Sequence, residues 1–271
     1  MPDFALNIFS CKVISAEQLL EYLADLLMSL SPDSGNSLPD FQHNMNDAIS
    51  ILPKLQTGLD VNVRFTGVKD FEYTPECIIF DLLNISLYHG WLVDPQLEDT
   101  VIAVNSLSYN QLVESIITNR SAEDSTKVSQ SLVAQQFLEE SASQLTYHGL
   151  CELNTVMKEG QLAVFFRNNH FSTMYKQGAG LYLLVTDQGF LHQLDVVWET
   201  LENIEGDTEF VDHQFNQVQP EAEAGAGGTS ADQDHLLAMT LQREDEAQCH
   251  KDREWQDFKE KHLGDTEGLT E

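Results

Sequence analysis

The sequence predicts an α+β fold: a helix-rich region, then an antiparallel sheet, then an acidic, partly disordered tail that contains one further helix. Two changes along the chain give this order. Apolar residues recur at helical spacing through much of the chain up to Gly160 and then alternate with polar residues, as they do in strands. Near Glu205 the composition becomes acidic and rich in Gly and Ala, which is typical of a flexible segment.

The first two helices are predicted from their caps and from the residues that break the chain after them. Ser15 and Gln18 form a capping box at the start of the apolar run over residues 14–30. A stretch rich in Pro, Gly and Ser follows this run. A second short helix over residues 41–52 then ends at Pro53, because proline cannot donate the next backbone hydrogen bond.

The middle of the chain predicts one strand and a series of helices. Residues 59–65 alternate between apolar and polar side chains, which indicates a strand. Thr74 and Pro75 are the expected N-cap and first residue of a short helix, ECIIFDLLN. Four helical segments follow between Gln96 and Gly160: QLEDTVIAVNSL, YNQLVESIIT, QSLVAQQFLEESASQL and GLCELNTVMKEG.

After Gly160 the pattern predicts a meander of four antiparallel strands. The predicted strands are QLAVFF, FSTMY, LYLLVTD and GFLHQLDVVWE. The segments RNN, QGAG and DQG separate them, and each contains residues that favour tight turns. The sheet is therefore expected to be built from neighbouring hairpins.

The charge balance excludes one class of partner and favours another. The formal net charge is −30, from 14 basic and 44 acidic residues. Such a chain repels phosphate backbones, so no nucleic acid is expected as a partner. No apolar run approaches the ~20 residues of a membrane span, and no signal peptide is predicted at the start, so no membrane association is expected.

Four cysteines are scattered along the chain without a CxxC motif, which favours a reducing compartment. The expected location is the cytoplasm, with the nucleus as a second location. The nine histidines are dispersed, and neither an H-x-x-x-H motif nor a Cys/His cluster is present. We therefore predict no metal site and no cofactor.

His170 follows a polar turn at the edge of a predicted strand, and two interpretations stay open for it. In the first, its ring projects into a cleft as the base of a Cys-His hydrolase, with Asp187 or an Asn holding the second ring nitrogen. In the second, it is a turn histidine bonded to the backbone. The catalytic interpretation requires a cysteine nucleophile elsewhere in the chain.

None of the four cysteines has the surroundings of an activated nucleophile. Cys77 and Cys151 lie in apolar helical segments and are interpreted as core residues, and Cys249 lies in the charged tail. Cys11 is the remaining upstream candidate. It stands four residues before Ser15, near a helix start but outside a Gly-rich or polar loop.

The tail contains a segment, DQDHLLAMTLQRED, with the composition of a short recognition helix. Ala238 is small enough to let a partner surface approach closely, and Leu237 and Leu241 supply apolar contacts between flanking acids. An ordinary amphipathic helix is the alternative interpretation of the same pattern.

Several of these stretches closely resemble the MINDY family of cysteine deubiquitinases. The resemblance extends from Ile14 to Asn203, and its motifs are GLDVNVRFTGVKDFEYTPECIIFDLLNISLYHGWLVDPQ, LSYNQLVESIIT, QLTYHGLCELN, FFRNNHFSTM and LYLLVTDQGFL. It implies a helix-rich, papain-like cysteine protease domain over residues 1–204. It further implies a thiol isopeptidase, acting as a monomer, that binds and trims polyubiquitin with preference for lysine-forty-eight linkages.

The resemblance also implies roles for individual residues. His170, in RNNHFSTM, matches the general base of the family. The matching ubiquitin-binding residues of the domain are Asp60, Val61, Trp91, Tyr109 and Phe166. Residues 205–233 are then an acidic linker, 234–264 a charged helix with a ubiquitin-interacting motif, and 265–271 a disordered end. The ubiquitin-binding residues of that helix are Asp234, Leu237, Ala238 and Leu241.

One motif of the family is missing from this sequence. The family nucleophile lies in an Asn-Gly-Pro-Cys-Pro loop with an upstream Gln for the oxyanion, and neither is found here. We therefore expect an N-terminally shortened catalytic domain, to whose Cys11 the nucleophile role does not transfer. Three expectations remain open: a deubiquitinase whose present form lacks turnover, a polyubiquitin-binding module without catalysis, and a domain that folds poorly.

Overall fold

The computed structural model describes residues 14–30, 38–204, 206 and 208–218. Cys11, Cys249 and the predicted recognition helix with Asp234, Leu237, Ala238 and Leu241 lie outside these residues, so the statements about them stay predictions. Within the described ranges no helix combines the length and the apolar character that crossing a membrane would require.

The described part of the chain contains seven α-helices and three short 3₁₀ helices. The α-helices are α1 (Ala16–Ser29), α2 (Leu38–Ile51), α3 (Ile78–Leu82), α4 (Glu98–Val104), α5 (Tyr109–Asn119), α6 (Ser125–Glu140) and α7 (Tyr147–Val156). The 3₁₀ helices are Leu52–Gln56, Pro75–Cys77 and Gln188–Phe190. The helices therefore precede most of the sheet, as the sequence predicts.

Side-chain caps explain where several helices begin. The predicted capping box of α1 is present: the Gln18 backbone N donates to Ser15 Oγ over 3.2 Å, and the Ser15 N donates to Gln18 Oε1 over 3.0 Å. Ser108 and Gln111 form a second capping box at α5, which the sequence analysis did not single out. Thr74 precedes a 3₁₀ turn but donates to the Asp60 carbonyl instead of capping.

Nine strands in the described ranges form two sheets. A two-stranded antiparallel sheet pairs β1 (Asn62–Val63) with β2 (Phe71–Glu72). The larger sheet has the order β3-β4-β5-β6-β7-β8-β9. Its strands are β3 (Leu87–Tyr88), β4 (Leu162–Arg167), β5 (His170–Gln177), β6 (Gly180–Leu184), β7 (Trp198–Thr200), β8 (Phe210–Val211) and β9 (Gln217–Val218).

All neighbours in the larger sheet are antiparallel except β3 and β4, which are parallel. A parallel pair needs a crossover connection, and here residues 89–161, which include α4 to α7, provide it. The α+β class is confirmed, and the sheet is antiparallel apart from this one pair.

Two segments of the sheet differ from the sequence prediction. The strand predicted over residues 189–199 is mostly a 3₁₀ turn and a loop, because the Asp187 carboxylate accepts from the Gly189 N over 2.6 Å and caps the turn. Only Trp198–Thr200 pairs in that region. Strands β8 and β9 lie within the segment predicted as an acidic linker, so the sheet extends to Val218.

Among the described residues, three groups of buried side chains form the core. The sheet core lies between one face of the larger sheet and α7, and includes Tyr88, Leu153, Phe165, Met174 and Leu181. The aromatic core includes Phe65, Trp91, Val104, Leu112 and Phe166. The helical core of α1 to α3 includes Leu27, Ala48, Ile51, Ile78 and Ile79. The rings of Phe80 and Phe171, stacked 6.3 Å apart, join the helical and aromatic cores.

His89 is a fully buried histidine between the sheet core and the aromatic core. Its Nδ1 accepts from the Trp91 backbone N over 3.2 Å, and its Nε2 lies 3.2 Å from the Asp70 carbonyl oxygen. The first contact requires an unprotonated Nδ1, so the ring is neutral and Nε2 carries the hydrogen. Burial accordingly lowers the pKa of His89 to about 4.

We expect His89 to make the fold less stable in mild acid. An unfolded histidine has a pKa of about 6.5. In mild acid the unfolded state therefore binds a proton that the buried ring of the folded state does not bind. The free energy of unfolding should fall by about 2 kcal/mol through this residue between pH 7 and pH 5. Urea denaturation at both pH values measures it. The His89→Gln variant should lose less stability over this range; an equal loss in both proteins would contradict the assignment.

Candidate functional site

The hairpin between β4 and β5 presents His170 at its tip. Asn168 and Asn169 have φ angles of 51° and 56°, which is the left-handed pair that a two-residue type I′ turn requires. Arg167 and His170 face each other across this turn as the last pair of the ladder. The turn predicted at RNN is therefore confirmed, and it fixes the backbone of an exposed histidine.

The His170 ring has no hydrogen bond or ion pair to another residue of the described ranges. The interpretation as a turn histidine bonded to the backbone is thus not realised within this part of the chain. Asp187, proposed from the sequence to orient the ring, instead caps the Gly189 turn. The His170 side chain is exposed and available to a ligand.

The two described cysteines are both free. Within the described ranges neither has a hydrogen bond to His170. Cys77 is half-buried, with its Sγ 3.5 Å from Thr74 Oγ1 and 3.9 Å from the Glu72 carbonyl. It lines a cleft of about 400 Å³ together with Tyr73 and Phe80.

Cys151 was predicted to be a core residue, and that prediction is wrong, because its side chain is exposed. Helix α7 buries Gly149 and Leu153, four residues apart on one face. Cys151 lies midway between them in sequence and therefore points to the opposite face.

Four of the five predicted ubiquitin-binding residues of the domain lie in or on the aromatic core. Trp91 and Phe166 are buried, with 5% and 7% of their surfaces exposed. Val61 packs against the same group. The Tyr109 ring lies 5.5 Å from the Trp91 ring and is 38% exposed. Burial of much of the ring raises the pKa of the Tyr109 hydroxyl.

These residues therefore form two layers. Trp91 and Phe166 are buried, whereas Tyr109 and Val61 are partly exposed. Asp60, which is exposed, precedes Val61, and its carbonyl accepts a hydrogen bond from Thr74 Oγ1 over 3.1 Å. The accessible part combines an aromatic ring, an aliphatic side chain and one carboxylate.

A largely buried network of hydrogen bonds holds the start of α5, next to Tyr109. The Glu72 Oε2 accepts from Ser108 Oγ over 2.7 Å and from Asn62 Nδ2 over 2.5 Å. The Asn62 Oδ1 in turn accepts from the Asn110 backbone N over 3.2 Å. This network ties β1 and β2 to the residues on both sides of Tyr109. The network leaves no signal in the sequence, because it joins residues far apart along the chain.

Arg167 is held by two backbone carbonyls at the end of β4. Its Nε donates to the Ser143 carbonyl over 2.8 Å and its Nη2 to the Ile204 carbonyl over 3.3 Å. Burial lowers the pKa of this guanidinium, and the nearby Glu199 carboxylate partly offsets the effect. Burial has the opposite effect on an acid and raises the pKa of the Glu199 carboxyl, and the Arg167 charge partly offsets this rise. In the described ranges, no group of three or more His, Cys, Asp or Glu side chains could hold a metal ion.

Comparison with known proteins identifies the family. The profile of the MINDY deubiquitinase family matches residues 3–215. The chain is 56% identical over 246 residues to ubiquitin carboxyl-terminal hydrolase MINDY-1 of Danio rerio, covering 86% of this chain and 47% of that protein. It is 55% identical over 242 residues to ubiquitin carboxyl-terminal hydrolase MINDY-2 of Homo sapiens, covering 88% of this chain and 39% of that protein.

The chain thus spans about half the length, or less, of these relatives. The family match nevertheless covers the described helices, strands β1 to β8 and the His170 hairpin together, which confirms the family and the cysteine protease type of fold predicted from the motifs. On this evidence, the chain belongs to the MINDY deubiquitinase family.

Proposed function

We propose that this chain binds polyubiquitin and supplies His170 as the general base of a thiol deubiquitinase. The observation that carries the proposal is the position of His170. It is exposed at the end of a two-residue hairpin turn and has no hydrogen bond or ion pair to another residue of the described ranges. The relatives, which are named ubiquitin carboxyl-terminal hydrolases, match across this hairpin.

The proposed chemistry is hydrolysis of an isopeptide bond through a thioester. His170 takes the proton of a cysteine thiol, the resulting thiolate attacks the isopeptide carbonyl, and the protonated ring gives this proton to the leaving lysine amine. Water then attacks the thioester, gives up a proton to His170 and releases the ubiquitin carboxylate and the thiol. The nucleophile is not assigned to a described residue.

The proposed substrate surface is the exposed layer over the aromatic core. Tyr109 serves as the aromatic anchor, with Val61 and Asp60 beside it and Trp91 and Phe166 supporting it. The resemblance supports a preference for lysine-forty-eight-linked chains and a monomeric protein. The segment with Asp234, Leu237, Ala238 and Leu241 is proposed as a second contact for ubiquitin within the same chain.

The second candidate function is binding of polyubiquitin without cleavage. It is favoured by the surroundings of the described cysteines. The Cys77 Sγ lies within hydrogen-bond distance of Thr74 Oγ1, and Cys151 is exposed on α7. Neither cysteine has a hydrogen bond to His170 in this part of the chain. A surface for ubiquitin can operate without the nucleophile, since Tyr109 and His170 belong to different elements.

A ubiquitin probe with a thiol-reactive group at its C-terminus separates the two functions. A deubiquitinase forms a covalent adduct at one cysteine, which peptide mass spectrometry identifies, and the His170→Gln variant forms it at least about 100-fold more slowly. A binding module retains lysine-forty-eight-linked tetraubiquitin but forms no adduct. Absence of both adduct and binding would reject both functions.

Tyr109→Ala tests the substrate surface. We expect it to weaken binding of tetraubiquitin at least about tenfold, because an aromatic anchor typically contributes 2 kcal/mol or more. Tyr147→Ala is the matched control, since Tyr147 is also exposed and is also the first residue of its helix. Titration calorimetry measures both affinities. Equal affinities for the two variants would contradict the assignment of the surface.

A further inference from the structure

The loop between α6 and α7 contacts the His170 hairpin directly. Gln144, in this loop, has a φ of 54°, a left-handed conformation that is uncommon for residues other than glycine. In this conformation its side-chain Oε1 accepts from the Asn168 backbone N over 2.9 Å. Asn168 is the first residue of the two-residue turn, so the bond reaches the turn that carries His170.

The same loop also holds Arg167, the residue directly before the turn. The Ser143 carbonyl accepts from Arg167 Nε over 2.8 Å, and the Ile204 carbonyl, after β7, accepts from Nη2. A guanidinium presents its donors in a fixed planar fork, so two carbonyls at different places in the chain fix its orientation. Neighbouring residues of one loop, 143 and 144, thus bond to neighbouring residues of the hairpin, 167 and 168.

The loop is itself anchored on the segment that carries Trp91. Ser141 Oγ accepts from Trp91 Nε1 over 2.6 Å. At the other end, Thr146 Oγ1 donates to the Leu92 carbonyl over 2.8 Å, and the Thr146 N donates to the Gly90 carbonyl over 3.0 Å. The loop is therefore bonded to residues 90–92 at both of its ends and to the hairpin in its middle.

We infer that Gln144 and Arg167 are positioning residues for His170. We further infer that the 141–146 loop holds the hairpin at a fixed position relative to the aromatic core. This inference rests on the proposed role of His170 as the base. A two-residue hairpin alone fixes the backbone of His170 relative to its own sheet. The bonds from Gln144 and to Ser143 fix it relative to the Trp91 segment, which lies under the proposed ubiquitin surface.

Nuclear magnetic resonance tests the inference on the whole chain without requiring turnover. Gln144→Met keeps the length of the side chain but removes the acceptor. We expect the Asn168 amide to exchange with solvent about five- to tenfold faster, as for loss of one hydrogen bond. We also expect a lower heteronuclear NOE at Asn169 and a changed His170 ring signal.

Three comparison variants sharpen the test. Gln144→Glu keeps the acceptor and should restore the exchange rate and the ring signal. Gln135→Met makes the same chemical change at a half-buried glutamine of α6, away from the hairpin, and should leave both unchanged. Arg167→Lys keeps the charge but not the planar fork, and should loosen the hairpin as Gln144→Met does.

Two outcomes would overturn the inference. One is an Asn168 exchange rate and a His170 signal that do not change in Gln144→Met. The other is a loss of protection spread evenly over the sheet, which would show a general stabilising role only. If the wild-type chain cleaves ubiquitin, Gln144→Met should lower kcat with KM unchanged. If it does not, the proposed catalysis fails, and the resonance data still decide whether the loop positions His170.

Discussion

Gly149→Ala is expected to destabilise the fold by about 3 kcal/mol or more, although alanine is the better helix former. An added Cβ at this position would lie 1.8 Å from the Gly90 carbonyl oxygen and 3.0 Å from the Gly90 Cα. Both are backbone atoms, and Thr146 bonds to the same carbonyl, so this contact cannot relax by a side-chain rotation. Helix α7 would have to move away from the Trp91 segment.

Urea denaturation followed by circular dichroism measures the change in the free energy of unfolding. Cys151→Ala is the control in the same helix, because Cys151 is exposed and its loss should cost less than about 0.5 kcal/mol. Helix propensity alone predicts that Gly149→Ala raises the free energy of unfolding by about 1 kcal/mol. A variant as stable as the wild type, or more stable, would therefore contradict the close packing of α7 on Gly90.

Trp91→Ala is expected to lower the free energy of unfolding by about 3–5 kcal/mol. Trp91 is buried, and its ring lies 5.2 Å from Phe65, 5.5 Å from Tyr109 and 6.5 Å from Phe137. Truncation removes all these contacts. The variant should also lose affinity for tetraubiquitin, because Tyr109 loses the ring that supports it.

A double-mutant cycle separates the packing of Trp91 from its hydrogen bond to Ser141. Trp91→Phe keeps most of the ring contacts, and Ser141→Ala leaves the buried indole N–H without its partner, which should cost about 1–3 kcal/mol. In the double variant both partners are gone, so its cost should be smaller than the sum of the two single costs. Strictly additive costs would show that the 2.6 Å contact contributes nothing to stability.

The sequence predicts local parts of the fold well, because their signals are local. The Ser15 capping box, the turn at Asn168 and Asn169, and the strands on either side of it depend on residues a few positions apart. The segment 189–199 is predicted wrongly, since its alternation resembles a strand and the Asp187 cap decides otherwise. Strands β8 and β9 have two residues each, too few for a periodic signal in an acidic segment.

The residues of the candidate site likewise differ in whether the sequence predicts them. His170 can be predicted as a candidate base from the sequence, because the turn before it is visible and its motif matches the family. Gln144 cannot be identified, since its bond to Asn168 spans 24 residues and depends on a left-handed backbone angle. The burial of Trp91 under Tyr109 is likewise a tertiary property: helical spacing does not show which aromatic residue of a pair is covered.

The parallel pairing of β3 with β4 has a consequence for the order of folding. The β4–β5 hairpin closes through a two-residue turn, and such hairpins form in about 1–10 μs. Strand β3 can join β4 only after residues 89–161 have formed their helices and returned to the sheet, and closing so long a connection is slow. We expect His170 to reach its turn early and the Trp91 segment to arrive late. Pulse-labelled hydrogen exchange should then protect the β5 amides before the amide of His89, which bonds to the Val68 carbonyl; simultaneous protection would argue against this order.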